Sequence, residues 1–283
     1  MNKLCLFLIF FSFSLVFSES PAPYSKIRSE LLLDPSILRT TEIDTEHFIR
    51  WNEGRIQWMS DPVHLYTYSS EGVDDTEWGC AWRAIQTALA SYEENVPGFV
   101  YLYENFGGRE FLEKTAEELY VIDEEWIAPH ESWHMWADPF VGQMILHDYG
   151  LVTELVALNG IVASNSPSVH QGTIDYTSFK ERVEKHFQEN GCPIVIDNGT
   201  YAMNILGAGK HGDSFLLLIG DPHLIFLRDE HPLNGLYIVE LDASGSQISI
   251  DYPAVHHHFD PGSYTAFQQF GLSNWMILFS KGK

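Results

Sequence analysis

Cysteine is scarce in this chain: three in 283 residues, at Cys5, Cys80 and Cys192. So few thiols, one of them at the extreme N-terminus, build no disulfide framework, and none has a Cys or His companion at zinc spacing. Basic side chains are also few, 16 Lys and Arg against 39 Asp and Glu, giving a formal net charge of −23. A chain of that sign repels phosphate backbones, which argues against a nucleic-acid partner. The acidity is spread, as in Glu93-Glu94, Glu117-Glu118 and Asp123-Glu124-Glu125, and reads as solvated faces that keep the protein in solution. Internal repeats and low-complexity tracts are missing, so no solenoid or array is expected. Past the first eighteen residues there is no apolar run long enough to cross a bilayer.

Those first residues are the exception. Lys3 gives a charged start and residues 4–17 are apolar, the length and order of a secretory signal with cleavage expected after Ser18. An uncleaved anchor at the endoplasmic reticulum membrane is the alternative. Residues 19–60, punctuated by Pro21, Pro23 and Pro35, are expected to be an N-terminal extension. Residues 61–283 then form one catalytic domain, for which 45% hydrophobic and 14% aromatic content supply the core. The expected location is the lumen of the endoplasmic reticulum or outside the cell. Asn198-Gly199-Thr200 is an N-glycosylation sequon that matters only on that route.

The chemistry sits in two segments. Trp78-Gly79-Cys80-Ala81-Trp82-Arg83 opens a stretch in which Ala81, Ile85, Ala88, Leu89 and Tyr92 recur at the spacing of one helical face, with Asp74, Asp75 and Thr76 as N-cap candidates. A thiol at a helix N-terminus lies in the positive end of the helix dipole, which favours thiolate over thiol. The same backbone amides can hold a developing oxyanion. Far downstream, the apolar run Phe215-Leu216-Leu217-Leu218-Ile219-Gly220 reads as a strand buried on both faces and ends in Asp221-Pro222-His223. Proline stops the ladder there, and residues two apart in an extended backbone share a side. Cys80, His223 and Asp221 are thus the parts of a thiol nucleophile, its base and the base's orienter.

The stretch Tyr68, Asp74-Asp75, Trp78-Gly79-Cys80, Arg83 and Gln86-Thr87 resembles the active-site segment of the ubiquitin-fold-modifier-specific cysteine proteases. Asp221-Pro222-His223 is similar to that family's Asp-Pro-His. Weaker similarity runs through Gly191-Cys192-Pro193-Ile194-Val195-Ile196, Ile205-Leu206-Gly207, Trp136, Gly142 and Trp275-Met276-Ile277-Leu278. The resemblance implies a papain-like α/β (α+β) fold, with the nucleophile helix packed on a mainly antiparallel sheet. It implies Cys80 as nucleophile, His223 as general base and acid, Asp221 as orienter and Tyr68 as an oxyanion-hole hydroxyl. The reaction it implies is hydrolysis of a peptide or isopeptide bond at the C-terminal glycine of a ubiquitin-like modifier, with another protein or peptide as the alternative substrate. Trp78 and Trp82 are expected to narrow the channel or to pack its wall. Glu77 stands where the family usually has glycine, and a carboxylate there opposes thiolate formation. The alternatives are a catalytically silent papain-like binding module and an autophagy-related-type cysteine protease, which shares Trp-Gly-Cys and Asp-Pro-His. Tyr68 and the acidic pair favour the first family.

No cofactor or metal is implied. His256-His257-His258 cannot all face one ion from an extended strand, and His130 and His134 lack the glutamate of a helical zinc protease. Trp126, Trp133 and Trp136 are read as core or cleft wall, and Gly207-Ala208-Gly209 as a turn. Cys192 is expected to be a small core residue and Cys80 to be free. Strands are expected over 63–68, 193–197, 215–220, 236–241 and 275–279, and helices over 80–93, 109–119, 139–149 and 176–189.

Overall fold

The computed structural model describes residues 41–42, 45–60, 64–68, 70–73, 75, 78–92, 96–106, 137, 139–160, 172–223, 233, 235–253 and 265–282. The signal-like start, Glu77, the expected helix over 109–119, Trp126, Trp133, Trp136, His130, His134 and His256 to His258 lie outside the described residues.

In chain order the elements are β1 (Thr41–Glu42), α1 (Thr45–Asn52), β2 (Trp58–Met59), β3 (His64–Leu65), α2 (Cys80–Ala90), α3 (Phe99–Phe106), α4 (Pro139–Asp148) and β4 (Val152–Leu158). They continue with β5 (Thr173–Ile174), α5 (Tyr176–Gln188), β6 (Ile194–Asp197), β7 (Ala202–His211), β8 (Ser214–Gly220), β9 (Leu236–Leu241), β10 (Gln247–Asp251) and β11 (Trp275–Lys281). Nine strands form one sheet in the order β10-β9-β8-β7-β6-β11-β4-β5, with β2 on the free flank of β7. Every described pairing in it is antiparallel except β4 with β5. The chain therefore adopts the expected α/β plan, with the Cys80 helix lying on a mainly antiparallel sheet.

The two faces of the sheet are covered by different helices. α2, α4 and α3 close one side over Leu155, Val195 and Leu278. α5 closes the other through Phe179, Val183 and Phe187, packed on Val156, Ile196 and Ile277. α5 starts on Asp175, whose carboxylate accepts the Ser178 N–H at 2.7 Å, a side-chain N-cap. Within β8, Leu217 and Ile219 face α5, while Leu216 and Leu218 face a third cluster with Leu65 and Phe48. That two-sided burial is why the segment reads as a continuous apolar run in an antiparallel sheet.

Three expectations are corrected. Helix α2 ends at Ala90, and Tyr92 is 42% exposed, whereas every residue from Cys80 to Leu89 is buried. The helix is enclosed on all sides by sheet and helices and has no single apolar face. Gly207-Ala208-Gly209 is no turn; it lies inside β7. A Cβ at Gly209 would collide with the Arg55 carbonyl, and one at Gly207 would stand 2.7 Å from the Trp58 carbonyl, so the glycines let the β2 segment approach. The strand expected over 63–68 is reduced to β3, paired with β1. The described parts of the expected extension, residues 41–42 and 45–60, are built into the fold: β1 pairs with β3, Arg55 pairs with Asp251 at 2.6 Å, and Ser60 N–H donates to the Leu206 carbonyl.

Candidate active site

Cys80 is the first residue of α2, and Gly79 is its N-cap, with no capping side chain. Asp75 does not cap, contrary to expectation. Its carbonyl accepts the N–H groups of Trp78 and Gly79 at 3.3 and 2.8 Å, and its carboxylate turns under Gly79 to meet Arg83. A Cβ at Gly79 would strike that carboxylate, which explains glycine before the cysteine. Asp74 and Thr76 lie outside the described residues. With no side chain on the first turn, the amide of Cys80 stays available as a donor.

Arg83, fully buried, organises the segment ahead of Cys80. Its Nε and Nη2 grip Asp75 at 2.8 and 3.1 Å, Nη1 reaches Glu71 at 2.8 Å and Gln86 at 3.0 Å, and Nη2 donates to the Ser70 carbonyl at 2.8 Å. Its guanidinium also lies 4.4 Å over the Phe99 ring. Glu71, held at φ 63°, uses Oε2 to accept from Arg83, from Gln86 at 3.1 Å and from the Phe99 N–H at 3.0 Å. One carboxylate thereby joins the Tyr68 loop, α2 and the start of α3.

That loop carries Tyr68 to the thiol. Tyr66 N–H donates to Thr87 Oγ1 at 3.0 Å and Tyr68 N–H to the Pro222 carbonyl at 2.8 Å, so the loop is fastened both to α2 and to the Asp-Pro-His segment. The Tyr68 hydroxyl lies close enough to Cys80 to interact with it. Burial, then the charge and hydrogen bond of Cys80, push its pKa far above the ordinary phenol value. Tyr68 therefore keeps its proton and acts as a donor.

Asp221 and His223 meet by a route other than strand alternation. The His223 N–H donates to Asp221 Oδ1 at 2.9 Å, closing an Asx turn, and His223 Nδ1 lies 2.6 Å from the same oxygen. The imidazole packs edge-on against the rings of Tyr68 and Tyr201, at 5.3 and 5.2 Å between centroids. Its ring lies close enough to Cys80 for the two to interact. Burial, the strongest influence on the ring, disfavours its charge; the Asp221 charge and hydrogen bond, with help from Cys80, overcome it and push His223 up to about 10. Asp221 is fully buried, and Cys80, Tyr68 and His223 retain only 5%, 4% and 8% of their surface. The thiol, the imidazole, the carboxylate and the phenol are thus brought together and nearly dry. Trp78 and Trp82 pack edge-on against Phe99 and Tyr103 inside the core beneath α2.

The sequence reading assigned no role to Tyr237, Tyr201 or Asn204. Tyr237 donates to Asp221 Oδ2 at 3.1 Å, and Asn204 Nδ2 donates to the Ala84 carbonyl at 3.0 Å, tying α2 to β7. An inward position on the predicted strand 236–241 was the available signal for Tyr237; Tyr201 and Asn204 had none. Cys192 is free and buried, as expected, and burial pushes its thiol upward. Among the described residues no group of three His, Cys, Asp or Glu could hold a metal ion, and no helix is long and apolar enough to cross a membrane.

No protein-family model matches the chain. Among curated proteins it is similar to a probable Ufm1-specific protease of Oryza sativa subsp. japonica, 25% identical over 179 residues, which covers 60% of this chain and 24% of that protein. The Ufm1-specific protease of Caenorhabditis elegans is 24% identical over 180 residues, 60% of this chain and 26% of that one. Ufm1-specific protease 2 of Rattus norvegicus is 24% identical over 181 residues, 62% and 35% respectively. The chain spans about a quarter to a third of the length of these relatives. A crystal structure of UfSP from C. elegans aligns with a TM-score of 0.49 and 18% identity over 81% of this chain and 34% of that chain. The resemblance carried by the Trp-Gly-Cys and Asp-Pro-His segments is met by curated Ufm1-specific proteases of plant, worm and mammal.

Proposed function

We propose that this chain is a cysteine-type peptidase that hydrolyses a peptide or isopeptide bond following the C-terminal glycine of a ubiquitin-like modifier. The observation that carries the reading is the convergence of a helix-start thiol, a carboxylate-held imidazole and a protonated phenol. Similarity to Ufm1-specific proteases adds the substrate class.

In this mechanism His223 accepts the proton of Cys80 through Nε2 while Asp221 holds Nδ1. The thiolate attacks the carbonyl carbon, and the new oxyanion receives hydrogen bonds from the Tyr68 hydroxyl and the Cys80 amide. His223 returns the proton to the departing amine, leaving a thioester. Water, deprotonated by His223, then cleaves the thioester and restores the thiol. Reacting groups this deeply buried suit a thin glycine-ended tail better than a bulky side chain.

We also propose that residues 1–18 direct the chain into the secretory pathway, where its substrate differs from a cytosolic modifier. Residues 61–283 are proposed as the catalytic domain. Glycan addition at Asn198 in cells tests the address: this residue sits in a turn with two exposed neighbours, Gly199 and Thr200, and an unmodified sequon on the secreted chain or a cytosolic product would reject it.

The enzymatic reading is tested with the purified chain and a modifier probe ending in a thiol-reactive group after glycine. Labelling is expected on Cys80 and is expected to vanish in Cys80→Ser. Labelling that survives the substitution, or a wild-type chain that never reacts, leaves a silent binding module as the better description.

A further inference from the structure

Tyr237 is fully buried on β9, where it is paired with Ile219 of β8. The ladder runs one step beyond β8, since the Asp221 N–H donates to the Gly235 carbonyl at 2.8 Å. The register of the sheet therefore sets Tyr237 beside the carboxylate that follows the strand. Its ring is fixed by Phe267, edge-on at 6.2 Å, and by Tyr252 at 5.6 Å. The hydroxyl consequently has little freedom. It stands 3.1 Å from Asp221 Oδ2 and 3.3 Å from the Met203 sulfur.

The two oxygens of Asp221 face different donors. Oδ1 takes both the backbone N–H and Nδ1 of His223, and Oδ2 takes the phenol of Tyr237. Rotation of the carboxylate about its Cβ–Cγ bond would weaken both sets at once. A donor to a buried carboxylate also favours the ionised form, and only that form sustains a charged imidazole.

We propose that Tyr237 is a positioning residue of this site: its hydroxyl holds the Asp221 carboxylate in rotation and in charge, and through it aims His223 at Cys80. The inference rests on the Cys80–His223–Asp221 unit and not on the identity of any substrate. Asn204 and Arg83 anchor α2 to its surroundings; Tyr237 acts instead on the carboxylate that holds the imidazole.

The test is the rate of Cys80 alkylation by iodoacetamide from pH 4 to 10, read residue by residue by mass spectrometry so that Cys192 does not interfere. Tyr237→Phe removes one oxygen atom and keeps the packed ring. The acid limb of the profile is expected to rise by about one pH unit, with about a tenfold loss of rate on that limb, because a carboxylate deprived of a donor keeps its proton longer. Met203→Leu removes the other neighbour of the hydroxyl and is expected to leave the limb in place. A merely structural role lowers the melting temperature of Tyr237→Phe without moving the limb, and that result overturns the proposal. The peptidase reading fails separately, through a wild-type chain that alkylates with the expected limb yet never reacts with a glycine-ended modifier probe.

Discussion

Replacing Asp221 by asparagine isolates the charge at the centre of the site. The His223 N–H and Nδ1 both require an acceptor at the Oδ1 position, so the carboxamide oxygen is expected there, with its NH2 group turned to Tyr237, whose hydroxyl can rotate to accept. The imidazole then keeps its tautomer and orientation and loses only its counter-ion. In the native site burial opposes the charged ring, and Asp221 overrides it to bring His223 to about 10. Without that charge burial is opposed only by Cys80 and by the remaining hydrogen bond, and His223 should fall well below about 10. Each pH unit of that fall removes about 1.36 kcal/mol of imidazolium stabilisation. A fall to the ordinary value of 6.5 leaves about a tenth of the imidazole protonated at pH 7.5, and Cys80 alkylation should then slow about tenfold.

The sign of the stability effect gives a second, independent reading. In the native chain the folded-state pKa is raised, so the contribution of His223 is fully present below about 6.5 and is lost as pH rises through about 10. In Asp221→Asn the folded pKa moves down toward about 6.5, so the contribution shrinks and is lost at lower pH than in the native chain. Urea unfolding between pH 6.5 and 10 should therefore show a much smaller loss of stability for the asparagine variant than for the native chain after the common background is subtracted. An asparagine variant that still loses stability like the native chain between pH 6.5 and 10 refutes the assignment of the shift to Asp221.

Arg83→Met should cost about 3–5 kcal/mol, because it leaves the buried Asp75 carboxylate without its cation; for a domain of this size this is a fall of roughly 6–20 °C in melting temperature. A loss under about 1 kcal/mol in urea would mean the Arg83 contacts contribute little. Gly209→Ala should cost about 1–3 kcal/mol by forcing β7 away from the Arg55 carbonyl, measurable as a lower urea midpoint at unchanged m-value. A neutral effect there would show that the β2 segment yields freely.

Much of the site was legible in one dimension because its parts are locally encoded. A helix start is marked by where apolar spacing begins, so Cys80 could be placed on it before any coordinates. Strands β8 and β9 announced themselves through apolar composition, and their expected and observed limits differ by at most one residue. β7 was missed for the opposite reason: Gly207 and Gly209 imitate a turn, and only the approach of residues 55–59 shows that a strand needs them. Tyr92 was counted on a buried helical face because periodicity assumes a helix with one wet side, whereas α2 is enclosed throughout.

What the sequence by itself determined is chemical: which residue types exist, that a thiol stands at a helix start, and that an acid and a histidine close a strand two residues apart. Those properties depend on neighbours along the chain. Tertiary structure alone decided which groups are dry and who faces whom: Asp75 turned to Arg83 and not to a helix cap, an Asx turn joining Asp221 to His223, and Tyr237 beside the carboxylate through the β8–β9 register. Burial and through-space charge arise from segments far apart in sequence, and they set the protonation of the imidazole.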